Sequence, residues 1–195
     1  MIALELAQKL QAQFGELVSA PKEFRGEITV QIADAEKIVE VCAFAKKELG
    51  FDYLVDLSSV DNYGEDPRWT LVYELYGMAH RCHLRLKTEV SEEKSELPTI
   101  SKVWRTADWH EREIYDMMGV RFRGHPDLRR ILMWDGYPYF PLRKDFPLAG
   151  KPTDLPEVAF TKPAPLEGGP FVTVPGGKDS MAREPRVRTP ENEGV

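Results

Sequence analysis

Hydrophobic and polar positions along the first fifty residues predict a helix, a strand and a second helix. Apolar side chains in residues 1–17 recur at helical spacing, as in a short amphipathic helix. In residues 28–32 isoleucine and valine alternate with polar residues, which is typical of a strand. Asp34 is placed to cap the second helix, and Gly50 is placed to end it.

Three strand-like runs follow, with apolar side chains at every second position. They cover residues 51–57, 69–75 and 82–86, and residues 77–80 are short enough to join the last two runs as a hairpin. The side chains predicted to share one face of the first run are those of Phe51, Tyr53, Val55 and Leu57. This order of elements predicts an α+β fold, in which an N-terminal α/β domain packs its helices on a mixed or antiparallel sheet.

A charged helix is predicted beyond these strands, at residues 108–118. Asp108 can cap this helix, and Glu111 stands three residues further on, as in a capping box. Gly119 is placed to end it. A shorter helix is predicted just before it, at residues 100–104, from the spacing of its apolar side chains.

Closely spaced prolines interrupt regular structure after the charged helix. Most of the 15 prolines lie between residues 138 and 190, too close together for long helices or central strands. We therefore predict a core domain of residues 1–133, which includes the charged helix, and a long extended Pro-rich C-terminal tail of residues 134–195. Such a tail is either disordered or lies along another protein. Five aromatic side chains favour packing of its first part: Trp134, Tyr137, Tyr139, Phe140 and Phe146.

Composition argues against several classes of function. The net charge of −6 argues against a nucleic-acid-binding protein, which normally carries a basic excess. The two cysteines cannot supply the four thiolates of a usual iron–sulfur cluster. The glycine pairs of the tail lack the strand and helix that a phosphate-binding loop requires, and no stretch has enough consecutive apolar residues to span a membrane. We therefore predict no catalytic, cofactor-binding or metal site in this chain.

The densest grouping of charge lies on the predicted charged helix and just after it. On a helix, Arg112 and Asp116 are four residues apart and can pair. They share a stripe with Trp109 and Glu113, so we expect this face to present fixed charge while the apolar face packs on the domain. A second charged cluster follows at residues 141–147. Charges held at fixed positions favour an interface with another protein; the alternative is an ordinary solvated surface.

The charged stretch resembles the C subunit (30 kDa subunit family) of the proton-translocating NADH:quinone oxidoreductase, respiratory complex I, in its run EREIYDMMGVRFRGHPDLRRILM followed by PLRKDFPL. The family pattern is Glu-Arg-Glu, two residues, an acid, two apolar residues, six residues, His, three residues and Arg. The positions that fill this pattern without departure are Glu111, Arg112, Glu113, Asp116, Met117, Met118, His125 and Arg129. The block from Pro141 to Asp145 matches a second feature of the family.

The resemblance implies a structural subunit of the peripheral arm of this complex. Such a subunit carries no FMN, iron–sulfur cluster or metal of its own, because other subunits hold them, and it performs no chemistry in isolation. Within the enzyme it would support electron transfer from NADH to quinone, coupled to proton translocation, by docking the D subunit, which carries the quinone site. Its tail would wrap partner subunits. The location implied is the cytoplasmic side of the cell inner membrane, with membrane contact only through the complex.

The resemblance also implies which side chains lie at subunit interfaces. These are Glu111, Arg112, Glu113, Asp116, His125, Asp127, Arg129, Arg130, Arg143, Lys144 and Asp145. One alternative is the equivalent subunit of a related membrane-bound complex: a deazaflavin-linked dehydrogenase, a ferredoxin–plastoquinone oxidoreductase or a hydrogenase. A second alternative is a free-standing soluble enzyme that uses carboxylates.

Overall fold

The computed structural model describes residues 2–147 of the chain, which contain three α-helices and seven strands. The α-helices of this part are α1 (Ile2–Phe14), α2 (Ile38–Lys47) and α3 (Ala107–Met118). The strands are β1 (Lys22–Phe24), β2 (Glu27–Ile32), β3 (Tyr53–Asp61), β4 (Trp69–Gly77), β5 (Cys82–Val90), β6 (Glu96–Pro98) and β7 (Arg121–Arg123). No helix of residues 2–147 is long and apolar enough to cross a membrane.

The main sheet is mixed and has the strand order β1-β2-β5-β4-β3. β2 and β5 run parallel, because α2 and the β3–β4 hairpin intervene between them in the chain, and the other neighbours are antiparallel. β6 and β7 form a separate two-stranded parallel sheet. The predicted α+β fold, with helices on a mixed sheet, is confirmed.

One buried cluster joins the three helices to the main sheet. Leu10 of α1, Val41 of α2 and Ile114 of α3 all belong to the cluster that contains the inward side chains of β4. Those inward side chains are Trp69, Leu71, Tyr73 and Leu75, as the alternation of β4 predicts. The apolar side of α3 therefore packs on the main sheet.

The prediction that Phe51, Tyr53, Val55 and Leu57 share one face is wrong for Tyr53 and Val55. Tyr53 is 44% exposed and Val55 is 40% exposed, whereas Leu54 and Leu57 are buried. The pairing of β3 with β4 shifts register between Leu54 and Asp56. A bulge adds one residue to a strand and so breaks the alternation of faces. The prediction assumes strict alternation of side chains along the strand and therefore misses the bulge.

Two predictions of helix geometry need correction. Residues 101–103 form a turn, not a helix, because the apolar side chains there span less than two helical turns. α3 begins at Ala107, and Thr106 is its N-cap residue without a side-chain hydrogen bond, so Asp108 does not cap it. Its end is as predicted, since Gly119 takes a left-handed conformation with φ of 80°.

The compact unit that contains the core extends to Phe146, beyond the predicted boundary at residue 133. Residues 134–147 contain no helix or strand, in keeping with their prolines. The rings of Trp134, Tyr137, Tyr139 and Phe146 pack against one another in edge-on or tilted contacts. The rest of the predicted tail, residues 148–195, lies outside the described residues, so its extended path stays a prediction.

Candidate functional site

Three charged side chains of α3 are buried, and for Arg112 and Asp116 this is the opposite of what the sequence pattern predicts. Glu111 and Asp116 are fully buried, and Arg112 is 8% exposed. Glu113 is exposed. A buried charge needs hydrogen bonds or an ion partner, so each of these groups has to find its partners within the folded chain.

Glu111 fastens α3 to the end of β6 and does not form a capping box. Its Oε1 accepts a hydrogen bond from the Ile100 backbone N–H at 2.8 Å, and its Oε2 accepts one from the Thr99 hydroxyl. Burial raises the pKa of Glu111 to about 7, while the bonds from Thr99 and Ile100 act in the opposite direction. The carboxyl therefore takes up a proton near neutral pH.

His125 occupies the other side of Glu111, just after β7, with its side chain fully buried. Its Nδ1 accepts a hydrogen bond from the Asp127 N–H at 3.0 Å, so the ring carries its hydrogen on Nε2. Nε2 lies 3.1 Å from the Asp108 carbonyl oxygen and 3.7 Å from Oε2 of Glu111. His125 thus ties the chain after β7 to the first turn of α3.

Asp116 holds the segment that follows His125 through three backbone N–H groups. Its Oδ2 accepts hydrogen bonds from Ile131, Leu132 and Met133 at 3.0, 2.7 and 2.8 Å. Its Oδ1 pairs with Arg130 at 2.5 Å. Burial alone would raise the pKa of Asp116, but these hydrogen bonds hold it below its ordinary value. This carboxylate stays ionised.

Arg112 does not pair with Asp116, although their spacing on the helix predicts it. Its guanidinium donates to the carbonyl oxygens of Arg129 and Arg130 at 3.2 and 3.3 Å and lies over the Trp109 ring. The pairing fails because Asp116 is already saturated by partners from the loop. Together Arg112 and Asp116 clamp residues 129–133 along one side of α3.

The second charged cluster is anchored by residues that the sequence pattern does not single out. Arg68 is 2% exposed and grips Asp61 through two nitrogens, at 2.8 and 3.0 Å. Asp145 lies 3.2 Å from Arg68, and the Lys144 backbone N–H donates to Asp61 at 2.8 Å. The indication in the sequence is that Asp61 and Arg68 carry opposite charges and lie at the two ends of the loop between β3 and β4.

Arg143 joins this cluster to the end of α3. Its Nε donates to the Met118 carbonyl oxygen at 2.6 Å, and its guanidinium lies over the Phe140 and Trp69 rings. Burial, and then the nearby Arg68, lower the pKa of Arg143. Gly119 permits this approach, because a Cβ there would lie 2.8 Å from the Phe140 ring.

Five of the predicted interface residues are exposed at the surface: Glu113, Asp127, Arg129, Lys144 and Asp145. Arg129 forms an ion pair with Asp127 at 2.8 Å, with the two side chains 67% and 57% exposed, and exposed pairs of this kind contribute little to stability. These are the predicted charges that a partner could reach.

Large apolar side chains are exposed around the buried charges. We call α3 together with residues 125–146 the signature platform. On it Trp109 is 61% exposed, Leu132 63% and Leu142 56%. Asp116 fixes the backbone at Leu132, and the Leu142 N–H donates to the Met117 carbonyl at 3.1 Å, so all three lie along α3. Within residues 2–147, no three His, Cys, Asp or Glu side chains are grouped to hold a metal ion.

Comparison with known proteins identifies the family. The family model of the respiratory-chain NADH dehydrogenase 30 kDa subunit matches residues 31–152. The chain belongs to this family. The C subunit of NADH-quinone oxidoreductase from Geotalea uraniireducens is 47% identical over 142 residues, which cover 73% of this chain and 86% of that protein. One of the C subunits of NADH-quinone oxidoreductase from Rhizobium meliloti is 48% identical over 134 residues, 68% of this chain and 73% of that protein.

Solved structures share the fold. The trypsin-resistant fragment of Nqo5, residues 1–134, superposes with a TM-score of 0.56 at 29% identity and covers 66% of this chain and all of that fragment. A chain of the membrane-bound sulfane sulfur reductase, an archaeal respiratory membrane complex, gives a TM-score of 0.64 at 23% identity, covering 74% of this chain and 85% of that chain. The second likeness shows the fold alone. The family places the signature platform in a subunit of respiratory complexes.

Proposed function

We propose that this chain is a cofactor-free structural subunit of the peripheral arm of NADH:quinone oxidoreductase. It docks the D subunit, called here the quinone-site subunit, and neighbouring subunits of the arm. FMN and the iron–sulfur clusters belong to other subunits, which carry electrons from NADH to quinone and couple this transfer to proton translocation. The chain lies on the cytoplasmic side of the cell inner membrane and is held there through the complex.

The observation that carries this proposal is that three large apolar side chains are exposed on α3 and on the segments bound to it. Trp109, Leu132 and Leu142 are each more than half exposed, which is costly in water and typical of binding sites when such residues group together. Arg112 and Asp116 fix the backbone beneath them. A surface that is ordered before binding loses less conformational entropy on association, which suits a permanent subunit contact.

The buried charges act on docking through this backbone. Because Glu111, Asp116 and Arg130 are satisfied inside the chain, they have little capacity left for a partner. Exposed charges such as Glu113 and Arg129 remain for the rim of the interface, where they would influence partner choice and association rate more than affinity.

The test is co-purification of the quinone-site subunit with a tagged full chain in membranes. The double variant Trp109→Ala/Leu132→Ala should reduce the recovery of that subunit about tenfold or more, since a central Trp or Leu of an interface contributes on the order of 1–2 kcal/mol. The matched control, Phe24→Ala/Met78→Ala, removes two side chains that are 64% and 57% exposed elsewhere and should leave recovery unchanged. Normal recovery with the first variant would count against this docking surface.

Mass spectrometry of the co-purified subunits separates the alternatives. Recovery of the NADH-oxidising, flavin-carrying subunits supports the proposal. Recovery of subunits that oxidise deazaflavin or ferredoxin, or of hydrogenase subunits, would assign the chain to one of the related complexes instead. If the Trp109→Ala/Leu132→Ala variant lost NADH:quinone reductase activity while the complex stayed assembled, this would point to a direct chemical role and against a purely structural one.

A further inference from the structure

The signature platform contains one buried acid that no cation neutralises. Glu111 is fully buried, and no lysine or arginine of residues 2–147 forms an ion pair with it. Nε2 of His125 lies 3.7 Å from Oε2 of Glu111. We propose that Glu111 is a proton-binding site that exchanges its proton with solvent through the hydroxyl groups of Thr99 and Ser101. This inference is independent of the docking role.

The path for the proton is a line of three oxygen atoms. Oε2 of Glu111 is hydrogen-bonded to Oγ1 of Thr99, which lies 2.8 Å from Oγ of Ser101. Thr99 is 8% exposed, whereas Ser101 is only partly buried. The line therefore leads from the interior of the domain to its surface in two steps.

The hydrogen bonds of this line are complete in either protonation state of Glu111. A threonine hydroxyl donates one hydrogen and accepts two, and the Ser101 N–H already fills one acceptor position of Thr99 at 3.1 Å. When Glu111 is ionised, Ser101 donates to Thr99 and Thr99 donates to Glu111. When Glu111 is protonated, every donor reverses, so Glu111 donates to Thr99 and Thr99 donates to Ser101.

Proton release then balances without any other reactant. The O–H bond of Glu111 breaks as a new O–H bond forms on Thr99, the former Thr99 hydrogen passes to Ser101, and the former Ser101 hydrogen passes to water. Each electron pair stays on its oxygen. Uptake is the same series reversed.

The groups that face Glu111 favour an uncharged carboxyl. Asp108, on the same helix, raises the pKa of Glu111, after the larger contribution of burial. Tyr73 of β4 and Cys42 of α2 face it from the sheet and the neighbouring helix, and burial raises the pKa of both, so both stay neutral. His125 directs its Nε2 hydrogen to the Asp108 carbonyl. The site thus has two stable hydrogen-bond arrangements and no fixed countercharge.

Asp116 shows that burial on α3 does not by itself produce such a site. It is as fully buried as Glu111, but three backbone N–H groups and Arg130 hold its pKa below the ordinary value. One helix therefore carries a carboxylate with a lowered pKa and a carboxyl with a raised pKa. The difference lies in the partners, which for Glu111 include a hydroxyl able to donate or accept.

The experiment is carbon-13 NMR of the full chain with labelled glutamate, with the Glu111 signal identified by its loss in Glu111→Gln. We expect its carboxyl carbon to titrate with a midpoint near 7, whereas the ordinary glutamate value is about 4.3. A Glu111 midpoint at the ordinary glutamate value would overturn the proposal.

The path is tested by two variants that each remove a hydroxyl group and by a third that keeps it. Thr99→Val keeps the shape of the side chain and removes the relay, so the averaged Glu111 signal should broaden or split through slow exchange, and its midpoint should rise. Ser101→Ala keeps the first hydrogen bond, so the midpoint should change less while exchange still slows. Thr99→Ser should restore both properties. Unchanged exchange in both Thr99→Val and Ser101→Ala would show that the proton takes another route.

Discussion

Replacing Asp116 with asparagine tests the bracing of the signature platform directly. Asn keeps the size of the side chain, and its single carbonyl oxygen can still accept N–H bonds from residues 131–133. Its NH2 group, however, would face the Arg130 guanidinium, which is 12% exposed and now donates to Oδ1 of Asp116. Breaking a buried ion pair by removing one partner costs about 3–5 kcal/mol, and because part of the N–H bonding survives, we expect a loss near 3 kcal/mol.

The assay is urea unfolding of the full chain, followed by tryptophan fluorescence. The matched control is Asp127→Asn, which makes the same chemical change in the exposed pair with Arg129 and should cost less than about 1 kcal/mol. Comparable unfolding free energies for the two variants would refute the claim that Asp116 is a structural brace.

Three further predictions concern the remaining contacts. Gly119→Ala should lower the free energy of unfolding by about 1–3 kcal/mol more than Gly136→Ala does, as measured by thermal unfolding, because it overpacks its site. Both glycines have a positive φ, but a Cβ would meet the Phe140 ring at position 119 and open space at position 136. Arg68→Met should cost about 3 kcal/mol by leaving Asp61 buried without its partner and should speed proteolysis near residue 145, whereas exposed Arg123→Met should do neither. The pKa of Glu111 is higher in the folded chain than in the unfolded chain. The contribution of Glu111 to the unfolding free energy is therefore greatest below about pH 4.5 and falls by up to about 3 kcal/mol as the pH rises to about 7. Glu111→Gln should abolish this pH dependence, and an unchanged pH dependence would contradict the assigned pKa.

The sequence predicts the long elements of the fold because their burial is periodic. β4 buries alternate side chains and α2 buries one stripe, so both follow from the period alone. The three-residue strands β6 and β7 are too short for a period to be recognised. The bulge in β3 is equally invisible, since it depends on how β3 pairs with β4 rather than on the composition of β3.

The residues of the site follow from the sequence, but their orientation does not. Local spacing favours an Arg112–Asp116 pair, worth a few tenths of a kcal/mol on an isolated helix. In the folded chain, Asp116 instead accepts four hydrogen-bonding partners from a loop about fifteen residues away in sequence. Such a tertiary cluster outweighs one helical pair. The same kind of long-range contact, between Arg68 and Asp145, explains why local spacing does not reveal Arg68.

The inward orientation of the charges allows folding and docking to be separated by mutation. Loss of a buried group such as Asp116 should lower the amount of folded chain, and with it the amount of complex, because the loop that carries Leu132 is no longer held against α3. Loss of an exposed apolar side chain such as that of Leu132 removes contact area for a partner, while the Leu132 backbone N–H still donates to Asp116. When a buried charge is removed, the stability of this chain and the recovery of the quinone-site subunit should therefore fall together. When an exposed apolar side chain is removed, only the recovery of that subunit should fall. A platform whose charges faced the partner would give the reverse assignment, with the charge variants stable and unable to dock.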